Sequence, residues 1–152
     1  GHFHLRLDFK ISLMANSGLF LRAKRDGSNP AYSGCEIQIL DDFNWEKTTR
    51  SKLKEWQFTG SLYGAVAPKH KALKPLGEWN RYEVHYLGSR IQTVLNGRIL
   101  YDVDTHKLDV KPPFADRALA GFIGLQRHAP KHVEGEAYAW FRNVFVRPYS
   151  RR

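Results

Sequence analysis

The amino-acid sequence predicts an all-β protein, a sandwich or jelly roll of two antiparallel sheets, and three features carry that prediction. Residues 2–12 alternate cleanly, with Phe3, Leu5, Leu7, Phe9 and Ile11 on one face and His4, Arg6, Asp8 and Lys10 on the other. Asn96-Gly97, between two strand-like runs, is the strongest hairpin signal in the chain. No stretch sustains the 3.6-residue apolar period of an amphipathic helix. Eight or so short strands joined by hairpins then pack as two layers. There is no internal repeat, and the strand spacing is too irregular for a propeller.

The elements follow in order. After the first strand, Leu13-Met14-Ala15 leads to Asn16-Ser17-Gly18, a tripeptide of turn composition that opens a strand ending at Arg22. A period of two places Phe20 and Arg22 on one face and Leu19 and Leu21 on the other. Residues 23–34 are loop by composition. Cys35 to Leu40 is the next strand, with Glu36 and Gln38 opposite Cys35, Ile37 and Ile39, and Asp41-Asp42 stops it. Parity therefore puts Arg22, Glu36 and Gln38 on a common side.

Between residues 41 and 60 the pattern loosens around Trp45, Leu53, Trp56 and Phe58. A short helix within Asp42–Trp56 and a long aromatic-rich loop both fit, and loops of this kind carry binding surface. Runs at Arg81–Tyr86, Arg90–Leu95 and Arg98–Val103 form a meander. Residues 104–117, with Pro112-Pro113, read as loop with a turn of helix. Ala120–His128 is a strand that sets Gln126 and His128 on the face of Phe122 and Gly124. In the last strand, Ala137–Arg147, Phe141, Asn143, Phe145 and Arg147 share one face and Trp140, Arg142, Val144 and Val146 the other. Trp79 and Trp140 read as core anchors, Trp45 and Trp56 as candidates for ligand stacking.

Composition narrows the class. The 152 residues suit one domain with a real core. No apolar run approaches the ~20 residues of a membrane-spanning helix. The single cysteine, Cys35, rules out an internal disulfide and a cysteine-rich metal site, and its neighbours make it a buried strand residue. The formal net charge is +9, yet residues 1–76 carry 12 basic and 7 acidic groups and residues 77–152 carry 12 and 8. So even a spread argues against a nucleic-acid partner, whose site gathers positive charge on one face. A polyanionic partner is compatible with the net charge. No signal peptide is visible, and the opening Gly1-His2-Phe3 without Met suggests a processed or trimmed product.

The strongest chemical grouping is Arg22, Glu36, Gln38, Gln126 and His128, with Asp41, Trp45 and Tyr63 on adjoining loops. Glu36 and His128 are a candidate acid–base pair, and Arg22 a candidate holder of an oxyanion. Amides, carboxylates and aromatic faces together suit a polyol; the alternative for any one of them is an ordinary solvated face. A paired-carboxylate glycosidase needs two acids across a cleft, whereas the strand offers Glu36-Ile37-Gln38, and Asp41 lies at odd spacing from Glu36. No elbow motif supports a serine nucleophile. His2 and His4 read as solvent-facing strand residues, and His128 and His132, which straddle Pro130, as a loop pair. The seven histidines form no HExxH motif, and Asp102-Val103-Asp104 lacks the spacing and glycine of a calcium loop. No cofactor is expected, and a divalent metal such as calcium stays open.

Several short motifs in register carry a resemblance: Asn16-Ser17-Gly18-Leu19-Phe20-Leu21-Arg22, Gly34-Cys35-Glu36-Ile37-Gln38-Ile39-Leu40-Asp41, Gly60-Ser61-Leu62-Tyr63, Gly77-Glu78-Trp79-Asn80, Leu95-Asn96-Gly97, Gly124-Leu125-Gln126-Arg127-His128 and Phe141-Arg142-Asn143-Val144. From about Leu5 to Arg147 the chain resembles the 3-keto-disaccharide hydrolase domain family. The resemblance implies a concanavalin A-like jelly roll, a secreted or periplasmic bacterial setting, and a carbohydrate ligand already oxidised at C3. It implies cleavage by C2 proton abstraction and elimination; for that chemistry the residues offer His128 or Glu36 as the base, with the other protonating the leaving oxygen, and Arg22 or Gln126 facing the enolate. Gln38, Asp41, Trp45 and Tyr63 would then line the sugar. The alternative is a non-catalytic carbohydrate-binding module of the same fold. Family domains open with one or two further strands, so the resemblance also implies an incomplete N-terminal portion and an open sheet edge able to pair with another chain.

Overall fold

The alternating strand of the sequence, β1 (Phe3–Ile11), lies inside a five-stranded antiparallel sheet. In the computed structural model, which describes residues 1–129 and 134–149, it pairs with β4 (Asn80–Leu87) on one side and β8 (Ala139–Pro148) on the other. Beyond β4 follow β5 (Arg90–Leu95) and β6 (Arg98–Asp104), giving the order β6-β5-β4-β1-β8. The facing sheet has the order β3-β2-β7, built from β2 (Asn16–Ala23), β3 (Cys35–Leu40) and β7 (Phe122–Leu125). The protein is thus an all-β, jelly-roll-like sandwich. Among the described residues, helix is confined to α1 (Pro30–Ser33), α2 (Trp45–Thr49) and three single 3-10 turns, and no helix is long and apolar enough to cross a membrane.

The core lies between the sheets. Phe3, Leu5, Leu7, Phe9 and Ile11 of β1 are at most 7% exposed and meet Leu19, Leu21, Cys35, Ile37 and Ile39 of the smaller sheet. Each such side chain contributes roughly 1.5–3 kcal/mol by leaving water. Tyr82 stacks on Phe9 at 4.8 Å between ring centroids, and its hydroxyl donates across the sandwich to the Gln38 carbonyl at 2.7 Å. A buried phenol needs such a partner. Cys35 is buried, and burial pushes its thiol up to about 12, which suits packing rather than reactivity.

Two residues in the left-handed region interrupt the strands and reverse their parity. Arg22 (φ 56°) sits at a register shift between β2 and β7, and Asn143 (φ 52°) at one between β1 and β8. Each is a bulge, where one extra residue turns the following side chains to the other face. The protruding backbone at Arg22 is accommodated by two glycines: a Cβ on Gly34 would stand 2.2 Å from the Leu21 carbonyl oxygen, and one on Gly121 2.2 Å from that of Ala23. The bulge at Asn143 keeps Trp140, Arg142 and Phe145 with the outer row of β1 while Phe141 and Val146 stand opposite the core-facing Phe9 and Leu5. That corrects the grouping by simple alternation.

Other expectations are corrected too. Asn16-Ser17-Gly18 is strand, and the turn precedes it at Met14 (φ 56°). Trp79 and Trp140 are not core anchors; they lie outside the larger sheet, where the Lys10 ammonium sits 5.1 and 5.0 Å from their ring centroids. The strand expected over 120–128 is shorter, Phe122–Leu125. The His128–His132 pair lies partly outside the described residues.

Candidate functional site

Glu36 lies on the outer face of the smaller sheet, opposite the core, yet is only 5% exposed. Its neighbour on β2 is the Phe20–Gly18 row, and Gly18 leaves the space the carboxyl occupies: a Cβ there would fall 2.4 Å from Glu36 Oε1. The Glu36 side chain therefore lies across the central strand, and on the far side it meets the Gln126 amide, which hydrogen-bonds it. Gln126 is itself held by its backbone. Its N–H donates to the Gly18 carbonyl at 2.9 Å, and its carbonyl accepts from the Ser17 hydroxyl at 2.7 Å.

Desolvation raises the Glu36 pKa to about 7, against the smaller lowering effect of the Gln126 hydrogen bond. The carboxyl can thus hold or release a proton near neutrality. Gln126 Oε1 is buried without a hydrogen-bond partner. A buried acceptor left open in this way suits a ligand hydroxyl. Beside it runs a cleft of about 200 Å³ lined by Asn16, Gln126, His128, Tyr138 and Phe141. His128 lies in this cleft, half-buried, with Nδ1 3.1 Å from the Ala129 carbonyl oxygen.

On the other flank of Glu36, the backbone N–H of Tyr63 donates to the Glu36 carbonyl at 2.9 Å. The Tyr63 ring meets Trp56 edge-on at 5.2 Å, and both rings are half-buried. Trp56, read from the sequence as a stacking candidate, thus stands nearer Glu36 than the chain order suggests. Trp45 is half-buried on α2.

Arg22 leaves the face the sequence gives it, whereas Gln38 and Asp41 lie where expected but are buried with their side chains engaged by backbone groups. The bulge turns Arg22 away from Glu36 to the end of the sandwich. There it is 4% exposed, packs 3.5 Å over the Tyr86 ring and donates to the carbonyls of Gly88 (2.7 Å) and Gly1 (2.8 Å). Three of its N–H groups are thus bound to backbone carbonyls, away from Glu36. Gln38 shares the Glu36 face but is 4% exposed, and its Oε1 accepts from the Ile39 N–H. Asp41 is fully buried: one oxygen accepts from the Met14 N–H at 2.9 Å, and the other from the N–H groups of Phe43 and Asn44. It fastens two turns together.

The structure therefore joins Glu36 with Gln126, sets His128 in the adjoining cleft and Tyr63 beside them, and assigns Arg22 and Asp41 to the framework. Sequence reading missed the part played by Gly18 and Ser17. The available signal was the small-residue pair itself, which composition alone reads as a turn.

Comparison with known proteins bears on this geometry. Residues 1–147 match the model of a family described as 3-keto-alpha-glucoside-1,2-lyase-like domains. The 3-keto-disaccharide hydrolase of Bacteroides thetaiotaomicron is 29% identical over 180 residues, an alignment covering 96% of this chain and 58% of that protein. The chain thus spans little more than half the length of that curated relative. A Parabacteroides distasonis protein assigned as a glycosyl hydrolase, with a crystal structure at 2.00 Å, superposes with a TM-score of 0.80 at 30% identity, over 97% of this chain and 78% of its own. A second from the same organism, at 1.70 Å, gives 0.77 at 26% identity, over 98% and 70%.

Proposed function

This chain belongs to the 3-keto-alpha-glucoside-1,2-lyase-like domain family, and from that premise we propose that it cleaves the C1 glycosidic bond of sugars that carry a ketone at C3. The ketone acidifies the C2 proton. A base takes that proton, the C2–H electron pair is delocalised into the enolate and then forms the C1–C2 double bond, and the C1 oxygen substituent leaves with its bonding pair. Water then adds across the double bond, its oxygen to C1 and a proton to C2. This route needs no second carboxylate across a cleft, consistent with Glu36-Ile37-Gln38 at the site.

Glu36 is the base in this reading and His128 the acid that protonates the leaving oxygen. A pKa of about 7 leaves Glu36 both substantially ionised and strongly basic at neutral pH. Gln126, with one more N–H than a single bond to Glu36 uses, faces the developing enolate oxygen in place of Arg22. Tyr63 and Trp56 offer the sugar an aromatic wall. The observation that carries the proposal is the buried Glu36–Gln126 pair with an open acceptor at the edge of a cleft.

Incubation with 3-keto-glycosides and their unoxidised counterparts should release aglycone from the oxidised set alone. Glu36→Gln should lower kcat at least 100-fold with the fold retained. Undiminished turnover would sink the assignment of Glu36. Binding of sugars without release from any 3-keto-glycoside would instead make the protein a non-catalytic module.

The bacterial relatives support a secreted or periplasmic setting. We also infer that β8 takes a strand from another chain: Val144 and Val146, toward the core side of β8, are 47% and 46% exposed. An uncovered apolar edge favours such pairing.

A further inference from the structure

We propose that His4, Glu83 and His85 form a site for a divalent transition-metal ion on the outer face of the five-stranded sheet, across the core from Glu36. Nothing in the proposed sugar chemistry uses these three residues. His4 of β1 stands directly opposite His85 of β4, and Glu83 is two positions along β4 on the same face. One ligand atom from each residue lies within 4.8 Å of the other two. Two imidazoles and a carboxylate are a donor set for zinc, nickel or copper ions.

Two details point to a ligand. The His4 Nε2 atom is buried and has no hydrogen-bond partner, its approach to Glu83 Oε2 being 3.8 Å. His85 Nδ1 lies 2.7 Å from the Tyr149 hydroxyl. With Nδ1–H donating to that oxygen, Nε2 keeps its lone pair, the outer-shell arrangement that orients metal-binding histidines. With two imidazoles and only one carboxylate, the trio disfavours calcium and magnesium, which rely on several oxygen donors.

The rings are stacked, 4.2 Å between centroids and 8° from parallel. Lone pairs in two parallel planes do not converge, so uptake of an ion must swing one ring out of the stack. His4, read from the sequence as a solvent-facing strand residue, thus gains a role that strand parity alone does not give it.

Calorimetric titration of the 152-residue chain with zinc or nickel ions should show one ion bound per chain. His4→Gln and His85→Gln should each weaken the affinity at least tenfold, Glu83→Gln less, and His106→Gln not at all, with calcium giving no heat at this site. In the unsubstituted protein, zinc should shift the ring-proton NMR signals of His4 and His85 together, a readout that does not depend on any variant folding. Absence of stoichiometric uptake, or uptake that leaves those two rings and their variants unaffected, overturns the proposal.

Discussion

Burial gives Glu36 an influence on stability opposite in direction to that of Asp8. Asp8, held by Arg81 at 2.8 Å and by Asn143, has its pKa drawn down to about 2, so it stabilises the fold above the ordinary carboxylate range and loses that contribution as pH falls toward 2. Glu36 has a folded pKa of about 7 against an ordinary value of 4.5. Below 4.5 both folded and unfolded chains hold the proton. Between 4.5 and 7 the unfolded chain releases it first, so stability falls as pH rises through that window. Above 7 the folded protein carries an ionised carboxylate in a poorly solvated place, on the order of 3 kcal/mol less favourable than in the unfolded chain. Glu36→Gln should therefore raise the thermal midpoint at pH 8 and leave it nearly unchanged at pH 4, as followed by circular dichroism. An equal effect at both pH values would contradict the raised pKa. The substitution that removes activity is thus expected to stabilise the protein, as charged groups kept for function often oppose stability.

At the scale of the element, β2 shows what a sequence can and cannot say. The alternation of β1, the meander of β4, β5 and β6 and the Asn96-Gly97 turn follow from local chemistry, and the structure places them where composition and period put them. Glu36 and Gln38 share a face as their period requires. Arg22 departs because a bulge adds one residue to the count, and the glycines that make room for it, Gly34 and Gly121, come from two other segments of the chain. Only pairing brings them beside Arg22, so no local rule could announce the reversal. Asn143 repeats the lesson on β8. Asp41 shows a different gap: an acid at a strand end is equally suited to substrate and to the turn amides it in fact satisfies. On the same strand β2, Gly18 has a sharper requirement. Gly18→Ala should push the Glu36 carboxyl away from Gln126, lowering kcat about tenfold or more and stability by about 1–3 kcal/mol through overpacking. Full activity of Gly18→Ala in the aglycone-release assay would show that the carboxyl does not need the space.

For the whole molecule, the family resemblance read from short motifs is matched by a family model over residues 1–147 and by structures that superpose along nearly the entire chain. The uncovered core side of β8 was not legible as a feature of named residues, since alternation assigned Phe145 and Val146 to the wrong faces. If that edge accepts a second chain, sedimentation of the purified protein should show concentration-dependent dimers, and Val146→Lys should leave monomer. Monomer at all concentrations for the unsubstituted protein would remove the pairing proposal. The positive charge is distributed on both halves of the chain, so raising salt should not by itself separate the two forms if apolar contact dominates.

The hydroxyl of Tyr82 ends on the carbonyl of Gln38, which also accepts from the Gly60 N–H at 2.9 Å. That makes one phenol a crossbar between the sheets, anchored two residues from Glu36. The spacing of the two layers beside Glu36 is thus held by a single rigid side chain, and β3 cannot shift toward or away from the larger sheet there without losing that anchor. Ordering of the strand that carries Glu36 is thereby built into the sandwich itself.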